Sequence, residues 1–336
     1  MKQQISREVR RVYEQRRMYA EEARDRLVAG VYGRHPTLVR IDRELTAAGA
    51  DLLLETIEPG RPRRAAASMA RLQAERDAYL REHGIDRSFD QPRYTCPLCR
   101  DSGQVRGERC SCYQTVVVPL LTEEANLSAL RNMTFASFEA SLFSDQANPA
   151  LYQSDLSPRQ QIMGLKKVSE RFVAHITDPD TRDMLFIGKP GTGKTFLMAC
   201  IAHALLQKGF SVLYVTAPQL FDCLQEHRIL LSSFHPDPIR LEYCTTMKDS
   251  VMNCNLLLID DLGTESGSAA RYGDLLSVID GRRSNDRKMI ISSNADPVSL
   301  RDQYDERLLS RLVGGFAVYR FFGEDIRLEL NRRRRS

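Results

Sequence analysis

The chain has 336 residues, 48 Lys+Arg against 44 Asp+Glu, 42% hydrophobic residues, eight Cys and no Trp. At roughly 150 residues per domain this length predicts about two domains, and the ordinary globular composition excludes a disordered or collagen-like chain. No apolar run reaches the roughly 18 residues of a membrane-spanning helix. The start, Met1-Lys-Gln-Gln4, lacks the apolar core of a secretory signal, so a cytoplasmic protein is expected. In that compartment eight Cys point to metal ligands or buried thiols rather than disulfides.

The net charge of +4 is unevenly spread. Residues 1–95 hold 19 basic and 15 acidic side chains, Arg332 to Arg335 form a basic tail, and residues 96–331 hold 25 basic and 29 acidic. Basic ends on a mildly acidic body permit a polyanion partner without requiring one.

Residues 1–90 are rich in Arg, Glu, Ala and Leu. Ile5, Val9, Val12, Tyr13 and Tyr19 recur at helical spacing, and breaks at Gly33 to Pro36 and Pro59 to Pro62 divide the stretch into helices over 3–32, 36–57 and 62–83. A cysteine module follows at 91–114, then a connector at 115–154 with apolar anchors such as Phe135 and Phe138. Over 155–330, helices at about 156–177, 194–207, 217–250 and 268–283 alternate with short apolar strands: Met184 to Ile187, Val212 to Val215, Leu256 to Ile259 and Met289 to Ser292. That alternation predicts an α/β domain with a parallel sheet covered by helices on both faces. A basic tail, 331–336, ends the chain.

In the module, Cys96-x2-Cys99-x10-Cys110-x1-Cys112 places four thiols within 17 residues, with Pro97, Gly103 and Gly107 available for turns. Zinc held tetrahedrally by the four cysteines is the expected outcome, structural because no ligand position stays open. Buried free thiols and an iron–sulfur cluster are the alternatives. Cys200, Cys223, Cys244 and Cys254 lack such spacing and read as small core residues.

The strongest motif is Gly188-Lys189-Pro190-Gly191-Thr192-Gly193-Lys194-Thr195, between an apolar strand and a helix. Its glycines let backbone N–H groups curl around phosphate, and the following helix presents its positive N-terminus. Lys194 suits the β- and γ-phosphates of ATP, and the Thr195 hydroxyl suits Mg²⁺. The strand Leu256 to Ile259 runs into Asp260 and Asp261. Asp260 is expected to hold Mg²⁺ through its water shell and Asp261 to polarise the attacking water. Many proteins with this loop carry Glu in the second place; Asp is one methylene shorter and must sit closer to the water. Asn294, ending the last strand, is a candidate γ-phosphate sensor or a turn residue.

Together with Glu306-Arg307-Leu-Leu-Ser-Arg311-Leu, these motifs resemble an AAA+ P-loop ATPase domain and, within that superfamily, replicative helicase loaders of the DnaC/DnaI type. The resemblance implies ATP hydrolysis. It implies an arginine finger at Arg311, with Arg307 in reserve, acting across a self-association interface. It also implies a second sensor at Arg327 touching the same subunit's nucleotide. Each arginine is alternatively a surface ion pair. The Cys96–Cys112 run resembles a module preceding the ATPase domain in many such loaders. The implied partners are a hexameric replicative helicase gripped by residues 1–90, and single-stranded DNA on the helical stretch 217–250. That stretch is not notably basic, and the Arg tail is the better electrostatic candidate or a solubilising end. The competing readings are an IstB-like transposition helper ATPase and a non-hydrolysing ATP-binding adaptor.

Overall fold

The computed structural model describes residues 5–57, 64–124, 132–263, 269–295 and 306–333. It divides into two compact units, residues 10–110 and residues 111–336 with the first nine.

Helix α1 spans Ile5–Arg34, α2 Pro36–Ile57 and α3 Ala65–Glu82. Gly33 does not stop α1, because one glycine costs about 1 kcal/mol and the helix continues until His35 and Pro36. Pro36 opens α2, where its missing N–H leaves no bond unmade. The break read at Pro59 to Pro62 lies outside the described residues. Val31, Leu38, Leu80 and Phe89 form the core of this unit, with Val28, Tyr32, Tyr79 and Ile85 packed around it. Beside it Arg76 donates to Asp42 at 2.6 Å and to Asp90 at 2.7 Å, linking α2, α3 and the following loop. Burial, aided by a hydrogen bond to Asp42, pushes the Tyr32 phenol up to about 12. Ile5, Val9 and Tyr13 are buried as the spacing predicts, but Tyr19 is 55% exposed. The face continues through Ala20, seven residues past Tyr13; position 19 is turned about 100° away.

The stretch read as a connector begins with helix α4, Tyr113–Glu124, whose Val116, Val117, Val118 and Leu121 are buried. Pro119 inside the helix masked the pattern, yet burial of those four side chains outweighs one lost backbone bond. A single turn, α5 (Pro149–Tyr152), and α6 (Pro158–Ala174) lead to β3 (Asp183–Gly188), α7 (Lys194–Gln207) and β4 (Val212–Thr216). Ser157 and Thr216 close capping boxes with Gln160 and Gln219. The stretch read as helical over 217–250 is two helices, α8 (Ala217–Ser232) and α9 (Pro238–Asn253). Asp237 caps α9 and Pro238 fixes its first turn. Next come β5 (Leu256–Leu262), α10 (Ala269–Ser284), β6 (Lys288–Ser293), α11 (Glu306–Gly315), β7 (Phe316–Phe321) and α12 (Ile326–Arg333).

The five strands are all parallel, in the order β4-β5-β6-β3-β7, so the strand feeding the glycine-rich loop lies inside the sheet. The core strands are continuous apolar runs, as burial on both faces demands: Leu185, Leu257, Leu258, Ile290 and Ile291 are all almost inaccessible. β7 had no such run to betray it; it is an edge strand with only its end residues, Phe316 and Phe321, buried. The short pair β1 (Gln104–Val105) and β2 (Glu108–Arg109) forms an antiparallel hairpin in the cysteine module. Among the described residues no helix is long and apolar enough to cross a membrane.

Arg282 is the largest fully buried side chain of the unit. Its guanidinium donates to the carbonyls of Val251, Cys254 (3.0 Å) and Lys288 (2.8 Å) and to the Cys254 sulfur (3.4 Å). It thus ties the C-terminus of α9 and the start of β6 to α10. Arg282→Met removes the side-chain donor from the carbonyls of Val251, Cys254 and Lys288, at roughly 1 kcal/mol each. A loss of about 3 kcal/mol, seen as a lower melting temperature by circular dichroism, is expected; an unaltered melt contradicts it.

Candidate functional site

The carboxyl ends of β3, β5 and β6 meet in one place, because β6 lies between the other two. Parallel strands gather loop ends and helix N-termini on that edge. Gly188, Gly191 and Gly193 all have positive φ, and a Cβ on Gly188 would overlap the Phe321 carbonyl on neighbouring β7. The loop is therefore held by the sheet edge. Lys189 and Pro190 are exposed, whereas Thr192 is buried and donates to the Lys189 carbonyl at 2.8 Å.

Lys194 is 4% exposed. Its ammonium donates to the carbonyls of Gly188 (2.6 Å) and Lys189 (2.9 Å) and to Asn294 Oδ1 (2.8 Å). Burial lowers its pKa to about 8 against the pull of Asp261 and Asp260. Asn294 Nδ2 in turn donates to Asp261 Oδ1 at 2.8 Å. A chain of hydrogen bonds thus joins the loop lysine, the last-strand amide and the second acid.

Asp260 is 2% exposed and accepts four hydrogen bonds. Thr195 Oγ1 (2.8 Å) and the Tyr214 hydroxyl (2.5 Å) donate to Oδ2; Ser292 Oγ and the Asp261 N–H (3.1 Å) donate to Oδ1. Burial and the negative Asp260 drive the Tyr214 phenol far above the ordinary tyrosine range, so it stays a donor. Register shifts between Ile259 and Leu262, a bulge that puts Asp261 at φ 59 and turns it toward Asn294. Burial and Asp260 raise the Asp261 carboxyl, opposed by the Asn294 hydrogen bond and by Lys194.

α12 meets the loop directly: Ile326 N donates to the Gly191 carbonyl at 3.0 Å, and the space beside Gly191 is filled by the Asp325 carboxylate. The charge of Arg327 reaches the same site, where it disfavours the Lys194 ammonium and favours the Asp261 carboxylate. Arg311 is instead held by Asp280, with Nε 3.0 and 3.2 Å from its two oxygens, and no described contact joins it to the loop. Arg307 is exposed on α11. Tyr214, Ser292 and Asp325 went unread in the sequence, since only strand pairing and helix docking bring them to the site.

The donor set fits a magnesium nucleotide: a cationic lysine, curled backbone N–H groups, a threonine hydroxyl and an adjacent carboxylate. Such a loop on the interior strand of this five-stranded sheet defines a P-loop nucleotide-binding protein of the AAA+ type. Within that class the chain belongs to the IstB-like ATP binding protein family, whose model matches residues 108–310. The matched stretch holds the glycine-rich loop, Asp260, Asp261 and Asn294, and stops short of Arg311 and Arg327.

The chain is 29% identical over 164 residues to the replicative helicase loader DnaC of Buchnera aphidicola, covering 48% of this chain and 63% of that protein. It is 26% identical over 148 residues to the replicative helicase loader DnaC of Escherichia coli K12, covering 44% and 57%. The chain thus spans about three fifths of the length of these curated relatives. A crystal structure of the DnaC helicase loader matches at 20% identity and a TM-score of 0.44, over 58% of this chain and 99% of that one.

In the cysteine module the sulfurs of Cys96, Cys99, Cys110 and Cys112 all lie within 4.8 Å of one another. Cys96 and Cys110 are 3.8 Å apart, far beyond a disulfide and equal to the edge of a tetrahedron with Zn–S bonds of about 2.3 Å. The hairpin turns at Arg106 and Gly107, both at positive φ. Gly103 lies against the Tyr13 ring, with no room for a Cβ. Fully buried Asp101 accepts the N–H groups of Thr95 (2.8 Å) and Cys96 (2.9 Å), fixing the first knuckle. The cluster fits zinc. The other four cysteines are buried in the ATPase-fold unit.

Asp101→Asn sets an amide N–H against one of those backbone donors. Zinc release to a chromophoric chelator is expected to be about tenfold faster than from the unaltered chain; equal release rates contradict that role.

Proposed function

We propose that this protein is an ATP-dependent loader of a hexameric replicative helicase onto single-stranded DNA. The observation that carries the reading is the joined site, in which Lys194, Asn294 and Asp261 share one hydrogen-bond chain beside Thr195 and Asp260, in a chain whose curated relatives include helicase loaders. The transposition-helper reading has less support, because the family model leaves out the first 107 residues, which hold the helical unit, Cys96 and Cys99.

In this reading the N–H groups of Gly188 to Thr195 cradle the phosphates of ATP, and Lys194 exchanges its carbonyl and Asn294 partners for terminal phosphate oxygens. Thr195 and Asp260 would hold Mg²⁺, which supplies charge neutralisation at the phosphates. Asp261 orients and deprotonates the attacking water, and its raised pKa makes it a better base than an ordinary aspartate. Asn294 links that acid to the lysine, so occupancy of the phosphate site alters the acid's partners. Arg327 lies within electrostatic reach of its own chain's phosphates. Arg311 leaves Asp280 to act on the nucleotide of a neighbouring copy.

Residues 1–90 grip the helicase, and the module at 91–114 braces them. Single-stranded DNA lies on α8 and α9. There Arg228 and Arg240 are already paired with Asp274 and Glu226, and stacking rather than charge is the larger contribution. Phe234, 99% exposed between the two helices, offers the ring. Arg332 and Arg333 add charge at the end of α12, the rest of the tail lying outside the described residues. The protein acts in the cytoplasm.

The test combines the full chain with the hexameric helicase of the same genome. Co-elution on size exclusion is expected, and separate elution of two folded proteins sinks the loader reading. Lys194→Ala is expected to weaken ATP binding by about 100-fold or more. Asp261→Asn should keep binding while slowing phosphate release by about 100-fold or more. No phosphate release from the unaltered chain, with or without single-stranded DNA, turns the reading to a non-hydrolysing adaptor.

A further inference from the structure

Tyr214 stands on β4, one strand beyond the acid-bearing β5. In the register of that pair Tyr214 lies opposite Leu258, and Thr216 opposite Asp260. Alternation along the strand puts Tyr214 on the same face as Asp260, and the length of its ring carries the hydroxyl to Oδ2 at 2.5 Å. A carboxylate offers about four lone-pair positions. On Asp260, Thr195 and Tyr214 take both positions of one oxygen, and Ser292 together with an Asp261 N–H shared with Ser292 Oγ (3.0 Å) occupies the other. A cation cannot bond this carboxylate directly without expelling a donor. The Thr195 hydroxyl, by contrast, has given its hydrogen to Asp260 and keeps lone pairs of its own.

That saturation bears on metal choice. Mg²⁺ is small, gives up its waters reluctantly and tolerates a carboxylate that acts through them; Ca²⁺ is larger, dehydrates easily and takes six to eight oxygens, carboxylates included. We propose that Tyr214 is a specificity-determining residue for the metal that accompanies the nucleotide: it occupies an Asp260 lone pair, keeps that carboxylate out of direct coordination and biases the site toward Mg²⁺ over Ca²⁺. Tyr214 acts through Asp260 and does not touch the nucleotide. The inference rests on the reading of the loop as a magnesium-nucleotide site.

The experiment titrates the full chain and its Tyr214→Phe variant with a fluorescent ATP analogue in EDTA, in Mg²⁺ and in Ca²⁺. Phenylalanine keeps the ring, so the variant removes one hydroxyl and frees one lone pair. The unaltered chain is expected to bind the analogue more tightly with Mg²⁺ than with Ca²⁺. In Tyr214→Phe the ratio of the two affinities is expected to fall about tenfold, the scale of one hydrogen bond to a charged group, while affinity in EDTA is unchanged. An unchanged ratio overturns the proposal. So does an equal loss of affinity in all three conditions, which marks a merely structural hydroxyl. If the unaltered chain itself shows no metal-dependent binding, the magnesium-nucleotide reading fails and the proposal with it, an outcome visible before any variant is compared.

Discussion

A buried carboxylate with all its lone pairs satisfied organises this molecule. Asp260 is almost inaccessible to solvent, where an unpaired charge carries a large desolvation cost. It persists because β4, β6 and α7 each contribute a hydroxyl and its own strand β5 contributes an N–H. Every one of those donors depends on strand register. A slip of one residue in β4 or β6 would turn Tyr214 or Ser292 to the opposite face and leave the charge bare. The nucleotide loop and the sheet core therefore specify each other.

The site also reaches past its own strands. Lys194 is bound to Asn294 and Asn294 to Asp261, so anything that takes hold of the lysine disturbs the acid on β5. On the other side α12 bonds the loop backbone at Gly191 and packs Asp325 against it. Asp325 is acidic beside a loop suited to phosphate, and Arg327 two positions on is basic. A change at the loop is thus felt by the C-terminal helix as a change of electrostatic surroundings. The loop is coupled to the C-terminal helix through one hydrogen bond and two opposed charges.

The glycine-rich loop was legible residue by residue, because its chemistry needs glycine, lysine and threonine at fixed spacing along one segment. Asp260 and the core strands were legible for a related reason: a strand buried on both faces must be a run of apolar residues, and its end must be polar. Strand β7 was not, since an edge strand with two buried ends has no pattern of its own. Helix α4 was hidden by Pro119, and Tyr19 was assigned to the wrong face by a single residue of phase. Arg282 and Arg283 stand side by side in the last turn of α10 with nothing local to separate them, yet the fold drives Arg282 into the core to satisfy three carbonyls. The cysteine spacing announced a four-sulfur cluster, but the fixing of its first knuckle by Asp101 belongs to the folded turn.

By itself the sequence determined that this chain has a nucleotide loop, a carboxylate-ended strand, four clustered thiols and a helical N-terminal region. Each of these is written in a local segment, where backbone freedom, apolar periodicity and ligand spacing act over a few residues. Only the tertiary structure decided that Tyr214 and Ser292 saturate Asp260, that a bulge turns Asp261 to Asn294, that Asp325 sits on the loop and that Arg311 rests on Asp280. Those partners are separated by 31 to 134 residues along the chain, and no local pattern constrains such pairs. Their meeting follows from strand order and register, which the burial of the whole sheet selects.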